Sequence, residues 1–125
     1  MTTIISIPVS PAELLDKITI LEIKEERIQD EVKLANVRAE LALLVAELAK
    51  LPTSPELITF KEKLKKANKV IWDSEELIRE RWDEDAEALK QAKISHAGND
   101  ERFRLKRAIN DLLGSAITEE KSHQK

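Results

Sequence analysis

The sequence predicts an all-α protein: an antiparallel helical hairpin or bundle of about four helices, preceded by a short extended arm. Three observations carry this. The first is composition: of 125 residues 42% are hydrophobic and 36% charged, only 3% are aromatic, and there are two glycines and no tyrosine. Alanine, leucine, glutamate and lysine dominate, which is helical composition. A sandwich or barrel needs more turn residues and β-formers, and a disordered chain carries less apolar content. The second is periodicity, strongest over Leu34, Val37, Leu41, Leu44, Leu48 and Leu51, a strict 3-4 spacing that makes a coiled-coil-like seam. The third is punctuation by helix-start and helix-stop residues at intervals that suit one domain of residues 1–125.

The elements follow in chain order. Residues 1–10 read as an extended arm, in which Ile5 and Ile7 alternate with Ser6 and Pro8, and Pro8 prevents full pairing. Ser10, Pro11 and Glu13 occupy the N-cap, N1 and N3 positions of a first helix. Leu14, Ile18, Leu21 and Ile28 share one face of that helix, and Leu15, Ile20 and Ile23 widen it. A helix so apolar is buried on more than one side. The polar run from Glu25 predicts a break near Gln29–Glu31. The second helix carries the leucine seam and, beside it, a stripe of Ala35, Ala39, Ala42, Ala46 and Ala49, where another helix can approach closely.

Ser54 and Pro55 start a third helix whose seam is Leu57, Phe60, Leu64, Ala67, Ile71, Ser74 and Ile78. A short loop between two seams predicts that the second and third helices form the antiparallel hairpin, with the first and last packed against it. Helical pattern weakens after Trp82, and a further piece runs toward Ile94. Ser95-His96-Ala97-Gly98 reads as a loop, with Asn99 capping a last helix whose apolar face is Leu105, Ile109, Leu112 and Leu113. Gly114 is its stop, and residues 115–125 are a tail that docks through Ile117–Glu120 and frays at its end.

Composition also limits function. The absence of cysteine excludes disulfides, thiolate zinc sites and cysteine nucleophiles. The first ten residues lack the basic and apolar regions of a targeting peptide, and no apolar run approaches the roughly 18–20 residues of a membrane span. The expected setting is cytoplasmic, without membrane contact. A formal net charge of −3 gives no overall pull toward nucleic acid. The lysine cluster at 61–69 contains Glu62, and Phe60 lies on the seam rather than among the lysines, so no nucleic-acid partner is expected.

Charges are segregated. The third helix begins with Lys61, Lys63, Lys65, Lys66 and Lys69 and continues with Asp73, Glu75, Glu76, Glu80, Asp83, Glu84, Asp85 and Glu87. The last helix is basic again. An antiparallel neighbour, either the last helix or the third helix of a second copy, would find its charges matched. This pattern and the doubled apolar stripes predict a homodimer.

No catalytic constellation stands out. Glu22-x-x-Glu25 and Glu80-x-x-Asp83 have the spacing of metal-binding carboxylate pairs, but 24 acidic residues produce such spacings by chance, and neither a metal nor a cofactor is expected. Lys17, Lys24, Arg27 and Arg38 would have to converge to resemble a helical mutase. His96 and His123 have no indicated third partner. The most informative polar residues lie beside seams: Asp16 and Lys17 on the first helix, Asn36 and Glu40 on the second, and Asn68, Trp72, Glu75 or Glu76, and Arg79 on one strip of the third. They are either a network fixing helix register or a ligand groove roofed by Trp72.

Pro8-Val9-Ser10-Pro11-Ala12-Glu13-Leu14-Leu15-Asp16-Lys17-Ile18-Thr19-Ile20-Leu21-Glu22-Ile23-Lys24 resembles the N-terminal signature of an uncharacterised family of short bacterial and phage proteins. Lys33–Leu41, Trp72–Arg79, Asn99–Leu112 and Glu119–Ser122 resemble its later blocks. The sequence departs at Ala12, Glu31 and His123, where the family tends to have Gly, Pro and Tyr. The resemblance implies that Asp16, Lys17, Glu22, Lys24, Asn36, Glu40, Trp72, Arg79, Asn99, Lys106 and Asn110 belong to the family pattern. It implies no activity.

Taken together, the expected function is a non-catalytic helical interaction or assembly module, acting on itself or on a protein partner. The alternative is an all-helical enzyme or small-molecule binder of pyrophosphohydrolase or mutase type, with a polar site between helices.

Overall fold

Helix α1 (Pro11–Arg27) begins where the sequence places it. Ser10 is extended, its Oγ accepts from the Glu13 N–H, and Pro11 at the first helical position has no N–H to satisfy. The Ala12 N–H is taken by Asn110 Oδ1 at 2.9 Å, from the far end of the chain. The computed structural model describes residues 2–122. The expected fraying of the last residues, and His123, lie outside them.

Ala12, Leu15, Ile18, Leu21 and Ile23 are buried, so α1 is covered on several sides. It ends at Ile28, and Asp30 caps α2 (Glu31–Leu48) through the Lys33 N–H. The predicted break is present without a proline at position 31. Ser54 caps α3 (Pro55–Glu80), with its Oγ accepting from the Leu57 N–H. A tight turn over 81–84 leads into α4 (Asp85–Leu113), which Gly114 terminates in the left-handed region at φ 64°. The arm up to Val9 is extended and exposed, with Ile5 81% and Ile7 69% accessible.

Two expectations are corrected. The antiparallel hairpin is α3 with α4, not α2 with α3. Helix α2 folds back along α1, and its backbone runs beside no other helix, whereas the backbone of α1 runs beside all three. The loop that joins two seams allows them to face each other but does not require it. Here α1 takes the inner seam of α2, and α3 turns its seam to α1 and α4.

The second correction is at Ser95–Gly98, which is helix, not loop; Asn99 is an interior residue rather than a cap, and His96 is an exposed helical residue. Gly98 is there for packing. A Cβ at that position would lie 2.8 Å from Ile71 Cγ1, so α4 approaches α3 where a larger residue would not fit.

The main core gathers Ala12 and Leu15 of α1, Leu57, Leu64 and Ala67 of α3, and Leu105 and Ile109 of α4, with Leu48, Phe60 and Leu113 around it. Burial of each large aliphatic side chain contributes about 1.5–3 kcal/mol. Of the two neighbours expected to match the charges of α3, α4 does not: among the described residues no ion pair joins α3 to α4. Instead the lysines of α3 meet α1: Lys61 and Lys65 reach Glu22, and Lys65 and Lys69 reach Glu26.

Candidate functional site

Three helices deliver polar groups to one buried point. Asp16 of α1 is 1% exposed. Its Oδ1 accepts from Arg102 Nε of α4 at 2.9 Å and from Asn68 Nδ2 of α3 at 3.0 Å, and its Oδ2 accepts from a second guanidinium nitrogen of Arg102. Asn68 Nδ2 also donates to Thr19 Oγ1 at 2.9 Å, and Thr19 donates to the Asp16 carbonyl. Asn99 Oδ1 accepts from the third nitrogen of Arg102.

Burial pushes the Asp16 carboxyl up. The hydrogen bonds from Arg102 and Asn68, with the charges of Arg102 and Lys106, outweigh burial and hold it below the ordinary carboxylate range. The same pair raises Arg102. Such a carboxylate is a poor general base, because its proton affinity is low and both oxygens are already engaged. Among the described residues no buried side-chain nitrogen or oxygen lacks a hydrogen-bond partner. The centre is thus a satisfied network that fixes how three helices meet.

Beside it opens a cleft of about 250 Å³. Ile20, Ile71 and Trp72 give it apolar walls, and Asn68, Glu75, Glu76, Arg79 and Arg102 give it polar ones. Glu75 accepts from Ser95 Oγ of α4 at 2.9 Å.

A second polar group holds the start of α1. Lys106, 5% exposed, donates to Glu13 at 2.9 Å and to Glu119 of the tail at 3.2 Å. Asn110 accepts the Ala12 N–H one turn further along α4. Phe103 lies under the Lys121 ammonium, 4.9 Å from the ring centre. Residues 117–121 therefore dock through charge more than through Ile117, which stays 42% exposed.

The residues singled out from sequence separate accordingly. Asp16 and Asn68 meet at the buried centre, with Asn99 reaching it through Arg102. Trp72, Glu75 and Arg79 line the adjoining cleft. Lys106 and Asn110 secure the first turn of α1. Glu22 is paired with lysines of α3. Lys17 is exposed, Lys24 lies in the last turn of α1, and Asn36 and Glu40 sit exposed on α2. The carboxylates of the first metal-like pair face different cations, since Glu25 accepts from Arg38. Of the four mutase-like cations, Arg27 pairs with Asp73 and Arg38 with Glu25, and Lys17 is exposed, so these three do not share one site. Thr19 and Arg102 were not singled out as site residues. A buried aspartate in the first helix calls for a cation, but spacing alone does not say which arginine of the last helix supplies it.

A family model, described as a family of unknown function (DUF6165), matches residues 5–125. The chain belongs to this family. DUF6165 thus spans the arm from Ile5, all four helices and the tail, so both polar groups fall within the matched region. No curated protein and no solved structure matches the chain.

Proposed function

We propose that this DUF6165 member is a non-catalytic assembly module whose second helix pairs with the second helix of another copy. One observation carries the reading: α2 is apolar on two opposed sides, and only one is covered. Val37 is buried against α1, with Leu34, Leu41, Leu44 and Leu48 partly covered. On the outer side Val32 and Leu43 are 72% and 58% exposed, and Ala35, Ala39, Ala42 and Ala46 beside them are all exposed. A helix with this pattern needs a second partner. Alanines permit close approach, so an antiparallel copy centred between Ala39 and Ala42 can pack along this stripe. The contact is isologous and closes at two chains.

The test is mass by light scattering at micromolar concentration. Twice the 14.2 kDa of one chain is expected. Ala42→Glu should give single chains with unchanged far-UV circular dichroism, because Ala42 is exposed within each chain. Wild-type protein at the single-chain mass, or an Ala42→Glu variant still double, overturns the proposal.

A further inference from the structure

The Trp72 cleft is independent of the outer face of α2, and its chemistry indicates a different kind of partner. We propose that it receives an arginine side chain from a basic segment of a partner polypeptide. At about 250 Å³ the cleft is smaller than the roughly 300–1,000 Å³ usual for small-molecule sites, and it suits one long side chain. Its walls offer an aliphatic stem the surfaces of Ile20 and Ile71, and a flat cation the indole of Trp72.

The polar rim supplies acceptors. Asn68 is 6% exposed, and its amide nitrogen makes both of its hydrogen bonds. No donor among the described residues reaches its Oδ1. Since no buried side-chain oxygen lacks a partner, that oxygen keeps solvent access, and its residue lines the cleft. Glu75 and Glu76 add carboxylates. A guanidinium has five donors in a plane that can meet separated acceptors while stacking on a ring.

The resident cations do not oppose this. Arg102 is committed to Asp16 through two nitrogens. Arg79 is 76% exposed and only 3.8 Å from Glu76, a contact that an incoming cation can replace. Beyond the cleft the acidic excess continues along α3 and around the hairpin tip through Glu80, Asp83, Asp85 and Glu87, past Trp82, which is 71% exposed. This surface steers a basic segment toward the cleft and weakens its hold as salt rises.

The experiment uses Trp82→Phe, which leaves Trp72 as the sole tryptophan reporter. Titration with tetra-arginine should change its fluorescence saturably, with weaker binding at high salt and for tetra-lysine. Glu75→Gln with Glu76→Gln should weaken binding about tenfold. Trp72→Leu, followed by calorimetry, should weaken it as well, and Ala42→Glu should leave it unchanged. A failure of assembly through α2 would therefore not disturb this result. Three outcomes overturn the proposal: no saturable change, an affinity indifferent to the two glutamine substitutions, or tetra-aspartate binding as well as tetra-arginine. Free arginine binding as tightly as the peptide would overturn the assignment to a polypeptide segment.

Discussion

Asp16 is a buried charge that its neighbours make affordable, and removing it would expose the cost to the rest of the network. Asp16→Asn leaves Arg102 unpaired. Arg102 is 30% exposed, so the penalty falls below the ~3–5 kcal/mol of a fully buried broken pair, at about 2–3 kcal/mol in urea unfolding. The pH dependence follows from the lowered carboxyl. Folding favours the ionised form, so its stabilisation is complete above about pH 4 and is lost as pH falls through the lower folded value. The Asn variant should show a shallower acid limb than wild type; an identical limb would show that Asp16 is not the titrating group. Glu26 is also lowered, by hydrogen bonds from Lys65 and Lys69, but it sits at the surface. Glu26→Gln should shift the melting temperature only slightly, and salt should erase the difference. Much of this chemistry was legible from helical spacing: Asn68, Trp72, Glu75 and Arg79 recur on one strip of a helix and do share one region. Arg102 and Thr19 were not, because their roles depend on how three helices cross, and periodicity within one helix carries no such information.

Among the elements, α1 depends on α4 for its first turn. Asn110→Ala would strand the Ala12 N–H in a position that is 0% exposed, at about 2 kcal/mol in denaturant titration. A cost under a few tenths would mean that water replaces Asn110 there. Gly98→Ala tests the α3–α4 approach. Helix propensity gains about 1 kcal/mol, while a crowded Ile71 loses about 1–3 kcal/mol. The net result should be a small loss, and Gly98→Val should be plainly worse. Leu44→Asp should unfold the protein by placing a charge in the seam between α2 and α1. The caps at Ser10 and Ser54, the break before Glu31 and the stop at Gly114 were all readable, since each is a local hydrogen-bonding or φ requirement. The α3–α4 hairpin was not. Ser95 and Gly98 resemble loop residues until their partners, Glu75 and Ile71, are seen across the interface. Likewise the leucine seam of α2 identifies a buried face without naming the helix that covers it.

At the scale of the molecule, α1 lies between α2 and the α3–α4 hairpin, and charge is unevenly distributed. The acidic excess gathers toward the hairpin tip, while the α3 lysines nearer the other end are partly neutralised by α1. If α2 is the assembly face and the Trp72 cleft a separate one, Ala42→Glu and Glu76→Gln should be thermodynamically independent. Their combined variant should lose assembly and bind tetra-arginine no more weakly than Glu76→Gln alone, with no coupling beyond about 0.5 kcal/mol in either measurement. The bonds that fix α1 also set the order in which the fold can be completed. Its partners lie 98, 93 and 86 residues later in the chain. On a ribosome, α1 and α2 emerge first and form at best a two-helix ribbon, with α1 still bare on the side meant for α3 and α4. Cooperative closure must wait until residues 102–110 have left the exit tunnel, and a chain interrupted before them would be a sticky fragment rather than a smaller domain.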